Sequence, residues 1–274
     1  MQEIGNEAKD SRSLIKENLK EVRNIIMVMS GKGGVGKSTI ASNLALSLAK
    51  KGYKVGLLDI DIHGPNLPLM LGVDKEHMEV SKDNRIEPVI INDNLKLASM
   101  GFLLPDKKEA IIWRGPLKMK VIEQFLKDIQ WGALDWLIVD APPGTGDEPL
   151  SMAQLVPVTS AIIVTTPQEI SILDVRKSVT FAQKLNLKIL GIVENMSGLI
   201  CPKCGEKIAL FKEGGGERVA SEMGIPFLGS IPIEPKVVEA TDTGMPYITE
   251  YPDSSVAKAY KRIIDNVFNI LKLS

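Results

Sequence analysis

The sequence predicts an α/β fold, a mostly parallel β-sheet with helices on both faces. Short runs rich in Ile, Val and Leu alternate with helical stretches almost throughout the 274 residues. Most of these runs are continuously apolar instead of alternating, which is how strands buried on both faces read. A glycine-rich loop follows the first run and opens the first long helix, the strand–loop–helix order of doubly covered sheets.

In chain order, a short helical arm lies near Ser13–Arg23. The strands expected after it are Ile25–Ser30, Lys54–Leu58, Leu95–Ser99, Trp136–Asp140, Ala161–Thr165, Lys188–Glu194 and Phe227–Ile231. Between and after them the helical pattern covers Lys37–Lys51, Pro116–Gln130, Ser171–Leu185, Glu217–Met223 and Ser254–Leu271. No linker, repeat or low-complexity segment interrupts this order. The expectation is one domain over residues 21–274 after an arm at 1–20, with a metal-binding loop near 198–216. Ligands of such sheets gather at the C-terminal ends of the strands.

A 44% hydrophobic and 24% charged composition is ordinary for a globular chain. The 33 basic and 34 acidic side chains leave a formal charge of −1. That balance lacks the basic excess of nucleic-acid binders and argues against general attraction to anionic membranes. The polar, mixed-charge N-terminus has no signal-peptide pattern. No run reaches the roughly 20 apolar residues of a membrane-spanning helix. The expected compartment is the cytoplasm, where thiols stay reduced.

Gly31, Lys32, Gly33, Gly34, Val35, Gly36, Lys37, Ser38 and Thr39 fit the pattern G-x-x-x-x-G-K-S/T, between an expected strand and an expected helix. Glycines there let successive backbone N–H groups turn toward phosphates, and the following helix adds its positive end. Lys37 is expected on the β- and γ-phosphates, and the Ser38 hydroxyl on Mg²⁺. With Lys32 inside it, the segment resembles the deviant Walker A loop of the P-loop NTPase family that includes the Min-type division ATPases, the arsenite-pump ATPase and the nitrogenase iron protein. The resemblance implies an ATP-dependent homodimer in which Lys32 reaches the partner subunit's nucleotide. A solvent-facing Lys32 is the alternative.

Leu57-Leu58-Asp59-Ile60-Asp61 ends one strand with two carboxylates. An acid beside the γ-phosphate can orient the attacking water, and Asp61 matches the family's first switch aspartate. Asp59 takes a supporting place near the phosphates or Mg²⁺, or is simply a strand-terminal acid. Lys32, Lys37 and Asp61 are thus the candidate catalytic residues. Trp136-Leu137-Ile138-Val139-Asp140 reads as a Walker B strand whose Asp140 holds the Mg²⁺ shell. The following Ala141–Asp147 looks like the family's second switch loop, with the Gly144 N–H near the γ-phosphate. Asn195 matches the position that reads adenine, its amide offering a donor and an acceptor. Ile231–Glu234 resembles the neighbouring wall, which brings Glu234 to the nucleotide. A turn asparagine is the alternative for Asn195.

Cys201-Pro202-Lys203-Cys204-Gly205 is a tight knuckle that aims two sulfurs at one point. Zinc and iron–sulfur clusters both take such thiolates, usually four of them. The chain has two cysteines, and His63 and His77 are remote in sequence, so a complete site needs a second chain. Trp113-Arg114-Gly115-Pro116, Asp140–Asp147, Glu194-Asn195-Met196-Ser197 and this knuckle together look like the Mrp/ApbC-type iron–sulfur cluster carriers. That resemblance covers roughly Glu21 to the C-terminus. It implies a [4Fe–4S] cluster bridged by Cys201 and Cys204 of two subunits, slow Mg-dependent ATP hydrolysis, and transfer to apo iron–sulfur client proteins in company with a cluster-assembly scaffold. The thiolates alone do not choose iron–sulfur over zinc. A zinc-bridged metallochaperone and a membrane-associated ATPase switch are the competing functions.

His63 reads as a loop histidine. Gly214-Gly215-Gly216 reads as a flexible connection after the cysteine loop, with an anion nest as the alternative. In the tail, Tyr260, Ile263, Ile264, Val267, Phe268 and Leu271 share one face. They are expected to pack on the sheet and not on a membrane.

Overall fold

Strands that are apolar on both faces require cover on both faces, and the fold supplies it. The computed structural model describes residues 11–273 apart from 63, 104–114 and 202. Residues 11–18 are helical (α1) and lead into β1 (Val22–Ser30) and α2 (Lys37–Lys50). β2 (Val55–Asp59), α3 (Leu67–Met70) and the short β3 (Glu79–Val80) and β4 (Ile86–Glu87) come next. β5 (Val89–Asn92) and β6 (Leu95–Ser99) precede α4 (Gly115–Asp128), β7 (Leu134–Asp140) and α5 (Asp147–Leu155). β8 (Ser160–Thr165), α6 (Glu169–Lys184), β9 (Lys188–Glu194) and a hairpin of β10 (Leu199–Ile200) and β11 (Lys207–Ile208) follow. The chain ends with α7 (Gly215–Met223), β12 (Phe227–Ser230), α8 (Pro235–Asp242), α9 (Tyr247–Glu250) and α10 (Ser255–Leu271).

Among the described residues one eight-stranded sheet has the order β12-β9-β8-β1-β7-β2-β6-β5. All its pairings are parallel except β5 with β6. Alternate residues of the central strands serve opposite cores, as the two-residue period requires. Ile26, Val28, Trp136 and Ile138 face one core with α2 and α10, while Met27, Met29, Leu137 and Val139 face the other with α1 and α4. A smaller core joins α6 and α7 to β8 and β9 through Val175, Val179, Val219 and Ile192. Each large side chain buried this way contributes about 1.5–3 kcal/mol.

The main strands and long helices lie where the apolar pattern puts them, within a few residues. The helical arm differs: Val22 and Arg23 belong to β1, and Ile15 and Leu19 are buried against the α4 core. The C-terminal apolar face is packed as expected, with Tyr260, Ile263, Ile264 and Val267 buried and the Phe268 ring stacked on Trp136 at 5.7 Å. Trp113, Arg114, His63 and Pro202 lie outside the described residues.

Candidate nucleotide and metal sites

The loop from Gly31 to Gly36 joins β1 to α2 at the C-terminal edge of the sheet. Gly34 and Gly36 hold φ of 78° and 82°, a left-handed conformation that glycine adopts without Cβ strain. Gly36 caps α2 without a side-chain acceptor, so the first-turn N–H groups keep their capacity for an anion. A Cβ on Gly36 would collide with the Asn195 amide nitrogen. Val35 is buried and contributes through its backbone.

The neighbouring strand ends carry the acids. Asp59 and Asp140 are register partners across β2 and β7. The Lys37 ammonium donates to Asp140 Oδ1 at 2.5 Å and lies 4.0 Å from Asp61 Oδ2. Ser38 Oγ donates to Asp140 Oδ2 at 2.6 Å. Burial pushes the Asp140 carboxyl above the ordinary carboxylate range, and Lys37 opposes that shift. Asp59 is fully buried and accepts from the Ser99 hydroxyl at 2.8 Å and from the Asp61 N–H at 3.2 Å. Burial, then the charge of Asp140, raises its pKa to about 8. Asp59 therefore sits behind Asp61 as a largely protonated support, and does not line the phosphate cavity.

A cavity of about 480 Å³ opens over this loop, lined by Lys32, Gly33, Lys37, Ser38, Asp61 and Pro143 among others. A second, of about 380 Å³, runs from Gly36 and Thr39 past Asn195 to Ile233 and Glu234. Gly36, Thr39, Thr241 and Asp242 line both, so the two are neighbouring compartments. One is lined by the charged and hydroxyl side chains of Lys32, Lys37, Ser38 and Asp61 together with loop glycines; the other is walled by Ile231, Val237, Val238 and Val256. Such a pair suits a polyphosphate joined to a flat, apolar-faced base.

Asn195 donates from Nδ2 to the Val35 carbonyl at 2.9 Å, tying the wall of the second cavity to the Gly31–Gly36 loop. Glu234 caps the start of α8 and accepts from Ser255 Oγ at 3.1 Å. The Gly144 N–H, expected near the γ-phosphate, donates instead to the Ser30 carbonyl at 2.8 Å, which ties the Ala141–Asp147 loop to the end of β1. Lys32 is half-exposed at the cavity mouth, with no ion-pair partner among the described residues.

The cysteines occupy the turn of the β10–β11 hairpin. Cys201 N–H donates to the Glu206 carbonyl and Gly205 N–H to the Cys201 carbonyl, both at 2.9 Å. The backbone N–H groups of Cys204 and Lys203 point at the Cys201 sulfur and, with the Cys204 thiol, lower its pKa from the ordinary thiol value. A turn that stabilises thiolate in this way suits a soft metal. Among the described residues no group of three or more His, Cys, Asp or Glu side chains gathers around a metal position. None of the helices there is long and apolar enough to cross a membrane.

Sequence reasoning missed the role of Glu194. Its side chain is wholly buried, accepting from Ser197 Oγ at 2.6 Å, Gly214 N at 3.1 Å and Gly216 N at 2.6 Å. The Gly214–Gly216 segment is thus an anion nest occupied by the protein's own carboxylate at the start of α7, and not a loose connection. The available signal was a carboxylate ending an apolar strand, which needs buried donors.

Known proteins are similar to this chain over most of its length. An iron–sulfur cluster carrier protein of Methanocaldococcus jannaschii is 48% identical over 254 residues, 92% of this chain and 87% of the relative. The cytosolic Fe-S cluster assembly factor CFD1 of Kluyveromyces lactis is 47% identical over 263 residues, 92% and 93% of the two chains. The solved nucleotide-binding protein of Archaeoglobus fulgidus, in complex with ADP and with cobalt, superposes with a TM-score of 0.76 at 41% identity, covering 85% of this chain and 91% of that one. The family profile described as NUBPL iron-transfer P-loop NTPase matches residues 21–268, and the chain belongs to that family.

Proposed function

We propose that the chain is an ATP-hydrolysing iron–sulfur cluster carrier that works as a homodimer and hands a bridging [4Fe–4S] cluster to apo-proteins. The observation that carries this reading is the half-site at Cys201 and Cys204. Two cysteines on one tight turn, with the thiolate of Cys201 favoured and no third ligand among the described residues, need two more donors, and a second copy supplies them. The names of the relatives support iron–sulfur cargo over zinc. The Archaeoglobus neighbour, described with ADP, supports a nucleotide on the phosphate loop.

In this reading the loop amides and Lys37 hold the β- and γ-phosphates, and Lys32 reaches the nucleotide of the partner subunit. Ser38 and Asp140, a hydroxyl and a carboxylate already 2.6 Å apart, are the donors that fit Mg²⁺, which when bound neutralises charge on the β- and γ-oxygens. Asp61 orients a water whose oxygen bonds to the γ-phosphorus as the bond to the ADP oxygen breaks. The water's protons leave with phosphate and solvent. Asp59, held by Ser99, fixes the Asp61 backbone. Asn195 and Glu234 border the base. Completion of each site across the dimer makes turnover slow in isolated chains. The membrane-switch alternative loses its candidate helix, because the apolar face of α10 is buried.

Anaerobic reconstitution with iron and sulfide tests the proposal, with the Cys201→Ala/Cys204→Ala variant as control. About four irons and four sulfides per dimer, absent from the variant, is the expected result. One tightly held zinc per dimer and no cluster would move the function to zinc delivery and leave the ATPase in place.

A further inference from the structure

The base compartment is not walled by the ATPase core alone. Leu210 and Phe211 line it, and both lie between the cysteine hairpin and α7. That whole segment is anchored at two points beside β9. At its start, Ser197 N–H donates to the Ile231 carbonyl at 2.9 Å and Ile233 N–H to the Gly198 carbonyl at 2.7 Å. At its end, the N–H groups of Gly214 and Gly216 grip Glu194. Between these anchors β10 and β11 pair through Leu199 with Ile208 and Ile200 with Lys207. Leu210 lies two residues past the end of β11, and although apolar it is 54% exposed. An exposed leucine beside a half-buried phenylalanine, both facing an apolar cavity of about 380 Å³, is a surface that a flat ring would cover.

We propose that the cysteine hairpin doubles as the lid of the base compartment, with Phe211 and Leu210 closing on the purine face and metal on Cys201 and Cys204 tightening that closure. The inference rests on the nucleotide and thiolate readings above. Tying both sulfurs to one metal narrows the conformations of the turn, and β11 transmits that restriction through Ala209 to Leu210 and Phe211. A lid already ordered by metal loses less freedom when the base arrives, so nucleotide binds more tightly. Linkage then requires nucleotide to tighten metal by the same factor. Because the contact is apolar, it serves adenine and guanine alike and leaves their discrimination to Asn195.

Calorimetric titration of the full chain with MgADP and with MgGDP, with and without one Zn²⁺ per two chains, tests this. Phe211→Ala should weaken both nucleotides by about tenfold, the usual effect of removing one ring from a base. Leu210→Ser should weaken them severalfold, and its exposed position means that the loss is not one of folding. Zn²⁺ should tighten wild-type binding about fivefold or more, and should change nothing in Cys201→Ser/Cys204→Ser. Unchanged MgADP binding in both lid variants, or no zinc effect in the wild type, overturns the lid. Lys37→Ala separates the two levels: if it binds MgADP as well as wild type does, the nucleotide reading itself fails. If it loses binding while the lid variants keep it, only the lid is wrong.

Discussion

Consider Glu194→Gln, which changes one buried atom and almost no volume. The carboxylate accepts three hydrogen bonds, two at Oε1 from Ser197 and Gly214 and one at Oε2 from Gly216 at 2.6 Å. An amide can keep its oxygen at only one of these positions. The cheaper arrangement keeps the Oε1 pair and sets the new NH₂ against the Gly216 N–H. That forfeits one charge-assisted bond, about 1.5–3 kcal/mol, and leaves a buried donor unmatched at about 1–3 kcal/mol. Loss of a negative charge at the start of α7 adds about 0.5 kcal/mol. The expected destabilisation is about 3–6.5 kcal/mol, a large part of a fold's total of about 5–15 kcal/mol. Urea denaturation at fixed m-value measures the loss, and hydrogen exchange at Gly214 and Gly216 reports whether it is local. A loss under about 1 kcal/mol, with unchanged exchange at those amides, would refute the view that Glu194 holds the far end of the cysteine segment.

Two further substitutions test the phosphate side. Asp59 has a pKa raised to about 8 in the fold, so the native state binds the extra proton between the unfolded value near 4 and about 8, and stability falls as pH rises through that window. Asp59→Asn removes this titration, so its stability relative to wild type should climb from pH 5 to pH 8; a flat or falling difference in urea midpoints would contradict the assignment. Gly36→Ala places a Cβ at φ of 82° against the Asn195 amide, adding about 1–2 kcal/mol of left-handed strain to about 1–3 kcal/mol for the displaced hydrogen bond to Val35. Thermal melts should fall and MgADP affinity should drop with them; wild-type values in both would show that Asn195 is not held on the loop.

The legible parts of this molecule were those written in short-range pattern. β1, β2, β7 and β8 are continuously apolar because both faces are covered, and the phosphate loop needs its glycines consecutively. β5 escaped because it is a short edge strand that pairs antiparallel and leaves Ile90 exposed. α3 and α9 are single turns with no room for a periodic face, and α5 hides behind the proline and glycines of the loop before it. Two aspartates spaced by two would share one side only if the strand ran on through both. Instead β2 stops at Asp59, and the Asp61 N–H folds back onto the Asp59 carboxylate. The two backbone partners of Glu194, Gly214 and Gly216, lie some twenty residues downstream, so no local pattern announces them. Leu210 and Phe211 carry no local signal, because the cavity they face is assembled from α8, α10 and the phosphate loop.

The same end of β9 sets what can move between the two candidate sites. Glu194 and Asn195 are consecutive, and their side chains point to different partners: one to the start of α7, the other to the Val35 carbonyl of the phosphate loop. The backbone there is held on both sides. Asn195 N–H donates to the Thr165 carbonyl and Ile231 N–H to the Glu194 carbonyl, each at 2.8 Å. Shifting this point would break sheet pairing with β8 and β12 together with the buried carboxylate bonds, several hydrogen bonds at about 1 kcal/mol or more each. Motion is therefore confined to the residues between Ser197 and Gly214, whose internal bonds are all short-range: a two-pair ladder, the tight turn it closes, and the N–H groups of Leu210 and Lys212 on the carbonyls of Ile208 and Ala209. That span holds both cysteines and both apolar residues of the base compartment. A change at the thiolates consequently has a short path to the nucleotide's base and no direct one to Lys37, Ser38 or Asp140. Metal occupancy should alter how tightly nucleotide is held and leave the phosphate chemistry as it is.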